Sequence, residues 1–176
     1  IGHAGTLDPL ATGVLVLCTG KATKRIDEFM QHDKEYTATL QFGATTASFD
    51  MEHPESEWFE KDHITENGLR EELKKFVGNI KQVPPVYSAC NVNGKRAYQL
   101  ARKDREVELK AKPVRIEEIE LLEFDDEKKA ARIRVVCGKG TYIRALARDI
   151  GEAMHSGAYL TQLCRTKAGS FSLDDC

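Results

Sequence analysis

Alternating apolar and polar residues mark the clearest predicted strand, which ends at Gly43. Side chains alternate between the two faces of a strand, so every second residue of this stretch shares one apolar face. The residues on that face are Tyr36, Ala38, Leu40 and Phe42. An unbroken apolar run before Gly20 predicts a second strand, fully buried, over Gly13 to Thr19.

Two further strands are predicted on either side of a charged turn. Ile116 to Phe124 and Ala130 to Cys137 are rich in apolar and β-branched residues, and Asp125 to Lys129 joins them. Strands separated by such a short polar segment usually pair with each other. A hairpin is therefore expected.

Helical spacing of apolar residues predicts two helices in the middle of the chain. The first is a structural helix with Gly78 as its stop signal. Its apolar residues are Leu69, Leu73, Phe76 and Val77. The second is a basic helix over Gly94 to Arg102.

A third helix is predicted from Tyr142 onward, with Thr141 as its N-cap. Its buried stripe consists of Ile143, Leu146, Ala147 and Ile150. Arg144 and Arg148 fall on the other side. Because hairpins and helices do not alternate as β-α-β units, the chain predicts one α+β domain, residues 1–176, on a mainly antiparallel sheet.

Composition favours a soluble domain in a reducing compartment. The chain has 176 residues, of which 41% are hydrophobic and 31% charged. Its five cysteines are odd in number and form no C-x-x-C pair, so we expect ordinary thiols in the cytoplasm. The five histidines show no metal-ligand spacing, which predicts no metal site.

The net charge of −2 conceals a segregation of charge along the chain. Asn91 to Arg105 contains five cations and one anion, and Lys139 to Arg148 contains three cations and no anion. Acidic residues concentrate in Asp50 to Glu72 and in Glu117 to Glu127. This distribution suits a polyanionic partner on one basic face, although solvated charged surfaces are equally common.

A carboxylate lies in a shaped loop before the first apolar run. Two glycines and a proline punctuate residues 5–13, in which Asp8 precedes Pro9. Loops of this kind often carry catalytic residues. From local sequence alone, an Asx turn before the proline explains Asp8 at least as well.

Two nucleotide-binding motifs are incomplete. Gly20-Lys21 lacks both the earlier glycine and the following hydroxyl residue of a phosphate-binding P-loop. Gly138-x-Gly140 lacks the third glycine and the β-α-β frame of a dinucleotide site. An ATPase and an NAD-dependent enzyme are therefore not supported.

The Asp8 loop closely resembles the catalytic motif of the TruB family of tRNA pseudouridine synthases. The matching residues are Gly2-His3-Ala4-Gly5-Thr6-Leu7-Asp8-Pro9-Leu10-Ala11-Thr12-Gly13. Further family-like blocks follow in the expected order: Gly20-Lys21-Ala22-Thr23-Lys24, Lys34-Glu35-Tyr36, Pro84-Pro85-Val86-Tyr87-Ser88-Ala89, Gly94-Lys95-Arg96-Ala97-Tyr98, Gly140-Thr141-Tyr142-Ile143-Arg144 and Leu163-Cys164-Arg165-Thr166. The resemblance covers essentially the whole chain and favours a catalytic role for Asp8.

The resemblance implies the pseudouridine synthase fold and a reaction on tRNA. The family isomerises the uridine at position 55 of the T loop, breaking its N-glycosidic bond and rejoining the base through carbon. No redox change and no cofactor are needed. The base must first be flipped out of the loop. A carboxylate can serve as nucleophile, as base or as a stabiliser of positive charge on the sugar, and these routes stay open.

The resemblance also assigns three catalytic residues. Asp8 is the central carboxylate, and Arg144 pairs with it. Tyr36 stacks against the target base and can assist proton removal. A nearby guanidinium favours a charged, oriented carboxylate. From local sequence alone, Tyr36 is better explained as a core residue of its strand and Arg144 as a solvated charge on its helix.

Seven further residues are expected to contact the substrate. Leu163 would complete an apolar wall of the pocket, and His3 would help to open the loop and flip the uridine. A core leucine and a turn histidine are the alternatives. Phosphate contacts are expected from the lysines and the arginine of the set. The full set is His3, Lys21, Asp50, Lys95, Arg96, Tyr142 and Leu163.

The chain departs from the family pattern at several places. The opening Lys-Pro-x-Gly-x-Thr-Ser segment is absent, which predicts an N-terminally incomplete catalytic domain, and no C-terminal PUA-type module follows Cys176. The usual Thr-Asp-Thr-x-Asp-x-x-Gly pattern appears as Thr46-Ala47-Ser48-Phe49-Asp50 with no following glycine. Asn91 stands where a lysine is common.

Three other functions compete with this interpretation. They are a non-catalytic RNA-binding protein, a guide-RNA-dependent synthase within a ribonucleoprotein, and an aspartate-dependent hydrolase of a small metabolite. The joint presence of Asp8, Tyr36 and Arg144 disfavours the first, and the basic segments disfavour the last. We expect a monomer that binds the T arm of tRNA and needs neither a membrane nor an obligatory protein partner.

Overall fold

The computed structural model describes residues 1–87 and 109–176 and, between them, the backbone of Asn91–Val92 and Lys95–Arg96. Its strands, in chain order, are β1 (Gly2–His3), β2 (Thr12–Gly13), β3 (Leu17–Cys18), β4 (Lys34–Phe42), β5 (Ala44–Thr46), β6 (Glu55–Trp58), β7 (Gly78–Gln82), β8 (Asn91–Val92), β9 (Lys95–Arg96), β10 (Lys112–Asp125), β11 (Ala130–Cys137), β12 (Ala158–Ala168) and β13 (Phe171–Ser172). Its α-helices are α1 (Ile26–Met30), α2 (Glu66–Lys74) and α3 (Ile143–Ala153). Gly20–Arg25 and Leu173–Asp175 form 3-10 helices.

A seven-stranded sheet dominates the described part of the chain. Its order is β13-β12-β4-β11-β10-β7, and β2 pairs with β12 beside this path. The β2–β12 pairing is parallel, and the other pairings of this sheet are antiparallel. The predicted α+β class with a mainly antiparallel sheet is confirmed.

The alternating strand and the hairpin are both found where the sequence predicts them. On β4, Ala38, Leu40 and Phe42 are each 1% exposed, as the alternation requires. Strands β10 and β11 pair over Ile116↔Cys137 to Asp125↔Ala130. Side-chain oxygen Oδ1 of Asp125 closes their turn by accepting hydrogen bonds from two backbone N–H groups.

One core lies between this sheet and the helices α2 and α3. Leu146 and Ile150 of α3 are fully buried, and Leu69 and Leu73 of α2 join the same cluster of apolar side chains. The predicted buried stripe of α3 is therefore confirmed. None of the described helices has the length and apolar character needed to cross a membrane.

The predicted buried strand over Gly13 to Thr19 is wrong. Only β2 and β3 form there, and Leu15 and Leu17 are 41% and 60% exposed. Val14 and Cys18 alone in this run point inward, at 3% exposure each. An apolar run identifies residues that favour burial, but the positive φ of 110° at Gly13 redirects the chain before a long strand can form.

Two helix predictions need correction at their ends. The helix that contains Leu69 and Leu73 ends at Lys74, and Gly78 opens β7. The predicted basic helix fails at Lys95–Arg96, which pair as β9 with β8, and the rest of it, Gly94 and 97–102, lies outside the described residues. The helical spacing of apolar residues carries no information about strand pairings that compete with a helix.

The cap of α3 also differs from the prediction. Its N-cap is Tyr142, and the Thr141 hydroxyl instead donates a hydrogen bond to the carbonyl oxygen of Gly138 at 2.9 Å. Arg144, expected on the solvated side, is 3% exposed. The reason is the Asp8 loop, which covers this first turn of the helix.

Candidate active site

Asp8 lies in a loop that is tied down at both ends. Residues 5–13 form this loop, which we call the Asp8 loop. The N–H of Ala11 donates to the carbonyl oxygen of Asp8 at 2.9 Å and closes a turn around Pro9. Beyond the loop, the N–H of Val14 donates to the carbonyl oxygen of Arg165 on β12 at 2.8 Å. The carboxylate is therefore presented by a short turn anchored to the central sheet.

Arg144 meets Asp8 from the first turn of α3. Its Nε lies 3.0 Å from Oδ2 of Asp8, and its Nη2 lies 3.1 Å from Oδ1. This is the bidentate, or two-pronged, geometry in which a guanidinium and a carboxylate fix each other's orientation. The side chain of Arg144 is 4% exposed and that of Asp8 is 26% exposed, so the pair is buried on one side and open to a ligand on the other.

Two backbone carbonyls hold the far side of the same guanidinium. Nη1 of Arg144 donates to the carbonyl oxygen of Ser48 at 3.0 Å, and Nη2 donates to that of Tyr87 at 2.6 Å. The buried cation thus has both a charge partner and hydrogen-bond acceptors, which its removal from water requires. Arg144 is therefore a fixed element of the site.

A buried glutamine fixes the start of α3. Gln82, 1% exposed, accepts a hydrogen bond from the N–H of Tyr142 at 2.9 Å and donates one to its carbonyl oxygen at 3.1 Å. The exchange replaces a conventional side-chain cap at Tyr142. It sets the direction in which Arg144 leaves the helix.

A cleft opens beside the Asp8–Arg144 pair. Its lining residues are Asp8, Leu10, Ala11, Asp50, Met51, Arg144, Leu160, Thr161, Gln162 and Leu163. The structure therefore brings together Asp8, Arg144, Asp50 and Leu163 from four separate segments of the sequence. The lining combines carboxylates and a guanidinium with leucines, which suits a flat ring that carries polar edges.

Asp50 is the second acidic group of this cleft. It is 5% exposed, and its Oδ1 accepts hydrogen bonds from Oγ of Ser48 at 2.6 Å and from the N–H of Glu52 at 2.9 Å. The same Ser48 provides a carbonyl to Arg144. Asp50 thus shapes the loop that holds the arginine and also reaches the cleft.

Tyr36 lies on β4, where it pairs in register with Arg165 of β12. Burial raises the pKa of its phenol, and the neighbouring Cys137 and the charge of Asp8 act in the same direction, against the opposing effect of Arg165. Tyr36 is therefore a neutral phenol at neutral pH, and the charge of Asp8 contributes to its raised pKa. It packs against the core and is not one of the residues that line the cleft.

Three of the predicted substrate contacts, His3, Lys21 and Tyr142, do not line the cleft. His3 is exposed on β1, and Lys21 is exposed in a 3-10 helix. Tyr142 caps α3 without lining the cleft. Lys95 and Arg96 lie on β9, and their side chains are outside the described residues.

Lys139 to Arg148 gives little support to the basic face, one of the two interpretations that the sequence left open. Arg144 is buried on Asp8, and Arg148 pairs with Asp149 at 2.9 Å and donates to the carbonyl oxygen of Val83. Its guanidinium also lies 5.1 Å from the ring centroid of Phe49. Two of the three cations in this segment therefore form ion pairs and hydrogen bonds within the protein.

Sequence reasoning missed Arg165 as a supporting residue of the site. It is 1% exposed, and its side chain donates to the carbonyl oxygens of Val14 at 2.8 Å and Gly5 at 3.1 Å. It therefore braces both ends of the Asp8 loop. The available signal was its place in the family-like block Leu163-Cys164-Arg165-Thr166, but only the fold shows which loop it meets.

No metal centre is found in the parts of the chain that the structure describes. Within residues 1–87 and 109–176, no cluster of three or more histidine, cysteine or acidic side chains could hold an ion. The thiols of Cys18, Cys137, Cys164 and Cys176 are free. The charged groups that line the cleft are two carboxylates, of Asp8 and Asp50, and the guanidinium of Arg144.

Comparison with known proteins places the chain in a family. The sequence model for the TruB family pseudouridylate synthase (N terminal domain) matches residues 1–143. The tRNA pseudouridine synthase B of Bacteroides thetaiotaomicron is 64% identical over 178 residues, which cover 100% of this chain and 74% of that protein. The protein of the same name from Phocaeicola vulgatus is 62% identical over 176 residues, with 100% and 74% coverage.

A solved structure also matches this chain in fold and in sequence. The crystal structure of a Cbf5-Nop10-Gar1 complex contains a chain that matches with a TM-score of 0.71 and 29% identity. The match covers 97% of the present chain and 41% of that chain. On the family match and the sequence identities, the chain belongs to the TruB family of pseudouridylate synthases.

Proposed function

We propose that this protein isomerises the uridine at position 55 in the T loop of tRNA to pseudouridine, with Asp8 as its catalytic carboxylate. The reaction breaks the bond between N1 of uracil and C1′ of ribose and forms a bond between C5 and C1′. The proton on C5 is lost, and N1 becomes protonated. Electrons balance without an oxidant or reductant, so no cofactor is required.

The observation that carries this proposal is the two-pronged contact between Arg144 and Asp8 at the edge of the cleft. A carboxylate that attacks a base or sugar, or removes a proton from one, must be oriented before the substrate arrives. Arg144 supplies that orientation, because it is itself fixed by the carbonyls of Ser48 and Tyr87. The exposed side of Asp8 is left for the substrate.

The apolar part of the cleft suits an extruded base. A uracil leaving its stack loses favourable contacts worth a few kcal/mol, which the protein must offset. Leu163 and Leu160 offer apolar surface beside Asp8, and Asp50 offers a polar group at the same cleft. By the family resemblance we assign Tyr36 to the base as well, as a ring that stacks against it and assists proton removal.

The remaining contacts are assigned to the RNA outside the flipped nucleotide. Lys21, Lys95 and Arg96 would contact phosphates, which give affinity for RNA that falls with rising salt. His3 would enter the T loop and help to displace the uridine, and Tyr142 would stand at the entrance of the site. In this proposal tRNA is the partner of a monomer in the cytoplasm.

The decisive experiment compares wild-type protein with Asp8→Asn on one unmodified tRNA transcript. Pseudouridine is mapped at every T-loop uridine, and the Kd for tRNA is measured for both proteins. Asp62→Asn serves as a matched control, because Asp62 is an exposed aspartate outside the cleft. We expect product at one uridine with wild type and with Asp62→Asn, none with Asp8→Asn, and similar Kd values throughout.

Other outcomes would favour the competing functions. Tight tRNA binding without product would leave a non-catalytic RNA-binding protein. Product that appears only when a guide RNA is added would indicate the ribonucleoprotein branch. Hydrolysis of a small metabolite without RNA, abolished in Asp8→Asn, would indicate a hydrolase.

A further inference from the structure

His53 lies beside the site and packs its ring against Tyr87. The two ring centroids are 4.5 Å apart, and the planes are tilted by 43°. Aromatic pairs are favourable at this separation. His53 is the third residue after Asp50, where the family pattern Thr-Asp-Thr-x-Asp-x-x-Gly carries glycine, so this contact is not part of that pattern.

The backbone of the same Tyr87 holds Arg144. Its carbonyl oxygen accepts a hydrogen bond from Nη2 of Arg144 at 2.6 Å, and that of Ser48 accepts one from Nη1 at 3.0 Å. Ser48 and His53 belong to the segment between β5 and β6, whereas Tyr87 follows β7. The guanidinium is therefore held between two segments, and the His53–Tyr87 contact joins those segments to each other.

The His53 ring contributes packing rather than a hydrogen bond at its Nδ1. This nitrogen is buried and has no hydrogen-bond partner among the described residues. A buried nitrogen without a partner costs stability. A phenylalanine would fill similar space without that cost. The variant His53→Phe therefore keeps the packing of the ring and removes the chemistry of its nitrogens.

We propose that His53 is a positioning residue for Arg144. Its ring fixes Tyr87, the carbonyl of Tyr87 fixes the guanidinium, and the guanidinium fixes the carboxylate of Asp8. The effect of His53 on the reaction rate rests on the function proposed above. Its effect on the contact between Arg144 and Asp8 does not rest on that function, and this effect can be measured in the protein without RNA.

The first test follows the Nε–H proton of Arg144 by NMR. The signal is assigned by its loss in Arg144→Lys, and its exchange with solvent is compared in wild type, His53→Ala and His53→Phe. An aromatic contact of this kind is worth up to about a tenfold change in a local equilibrium, so we expect His53→Ala to exchange about tenfold faster. His53→Phe should exchange like wild type, with a melting temperature no lower.

The second test measures the rate of pseudouridine formation in a single turnover with enzyme in excess. A small displacement of a catalytic group is costly, so we expect His53→Ala to lower the rate by about tenfold while the Kd for tRNA changes by less than about twofold. His53→Phe should restore most of the rate. His155→Asn is the control, because His155 is exposed and its positive φ is one that asparagine tolerates.

Each outcome bears on His53 separately from the proposed function. Equal exchange of the Arg144 proton in His53→Ala and wild type overturns the inference, whatever the protein does with tRNA. A rate as low in His53→Phe as in His53→Ala also overturns it, and points to a direct contact from a ring nitrogen to RNA. If wild type makes no pseudouridine, the proposed function fails, and the exchange measurement still decides the role of His53.

Discussion

A Cβ atom placed on Gly13 would lie 2.1 Å from the carbonyl oxygen of Arg165. Gly13 also has a positive φ of 110°, and the next residue, Val14, donates its N–H to that same carbonyl. Strands β2 and β12 thus approach at a separation that a glycine permits and a larger residue does not. This approach closes the loop that carries Asp8.

Gly13→Ala should therefore destabilise the protein by two effects, backbone strain and a clash with main-chain atoms. Gly78→Ala is the matched control, because Gly78 has a φ of 112° but open space around its Cβ position. We expect Gly13→Ala to lower the free energy of unfolding by roughly 2 kcal/mol more than Gly78→Ala, measured by urea denaturation. Equal losses would show that the close approach has no energetic consequence.

Arg165 should contribute both stability and loop geometry. Arg165→Met leaves the carbonyl oxygens of Gly5 and Val14 without this donor, and each buried unpaired group costs about 1–3 kcal/mol. We expect a loss of roughly 2–4 kcal/mol in urea denaturation and a slower single-turnover rate on tRNA. Arg132→Met, at an arginine whose side chain is 45% exposed, should change stability by less than about 0.5 kcal/mol. A stable Arg165→Met protein with normal activity would contradict this role.

Arg144→Lys tests the two-pronged contact with Asp8. Lysine keeps the charge but cannot present two parallel N–H groups to a carboxylate, nor reach Ser48 and Tyr87 together. We expect the single-turnover rate to fall by about 100-fold while the Kd for tRNA changes by less than about threefold. Weakened binding with an unchanged rate at saturation would instead make Arg144 an RNA contact.

Cys137 should make the protein sensitive to alkaline pH. Burial raises the pKa of its thiol to about 11. The thiol of the unfolded chain loses its proton at lower pH, so the stability that Cys137 contributes is complete below pH 9 and falls as pH rises toward 11. The expected loss from this group is roughly 3 kcal/mol.

The alkaline effect is measured as the free energy of unfolding between pH 8 and 11. Cys137→Ala should lose less stability over this range than wild type, although it starts from a lower value because it leaves a small cavity. Cys176→Ala, at an exposed thiol, should follow wild type. Parallel curves for wild type and Cys137→Ala would exclude the Cys137 thiol as the source.

The local sequence pattern was sufficient to predict an element where one strong signal extends over several residues. The alternation ending at Phe42 and the turn at Asp125 specify β4 and the β10–β11 hairpin, because side-chain direction and turn chemistry are local properties. It failed for Gly13 to Thr19 and for Lys95–Arg96. Part of the first stretch pairs with a distant strand, β12, about which local pattern carries no information. Lys95–Arg96 pair with the nearby Asn91–Val92, a local pairing that the helical pattern did not indicate.

The sequence by itself determined the family and the class of fold, and it predicted the pairing of Asp8 with Arg144. A long motif carries that information, because it preserves residue types in order. The tertiary structure decided how the site is held: Arg165 under the Asp8 loop, Gln82 at the start of α3, and the carbonyls of Ser48 and Tyr87 behind Arg144. Those contacts join segments far apart in the chain, and several of them use backbone atoms, which every residue has and which no sequence pattern can mark.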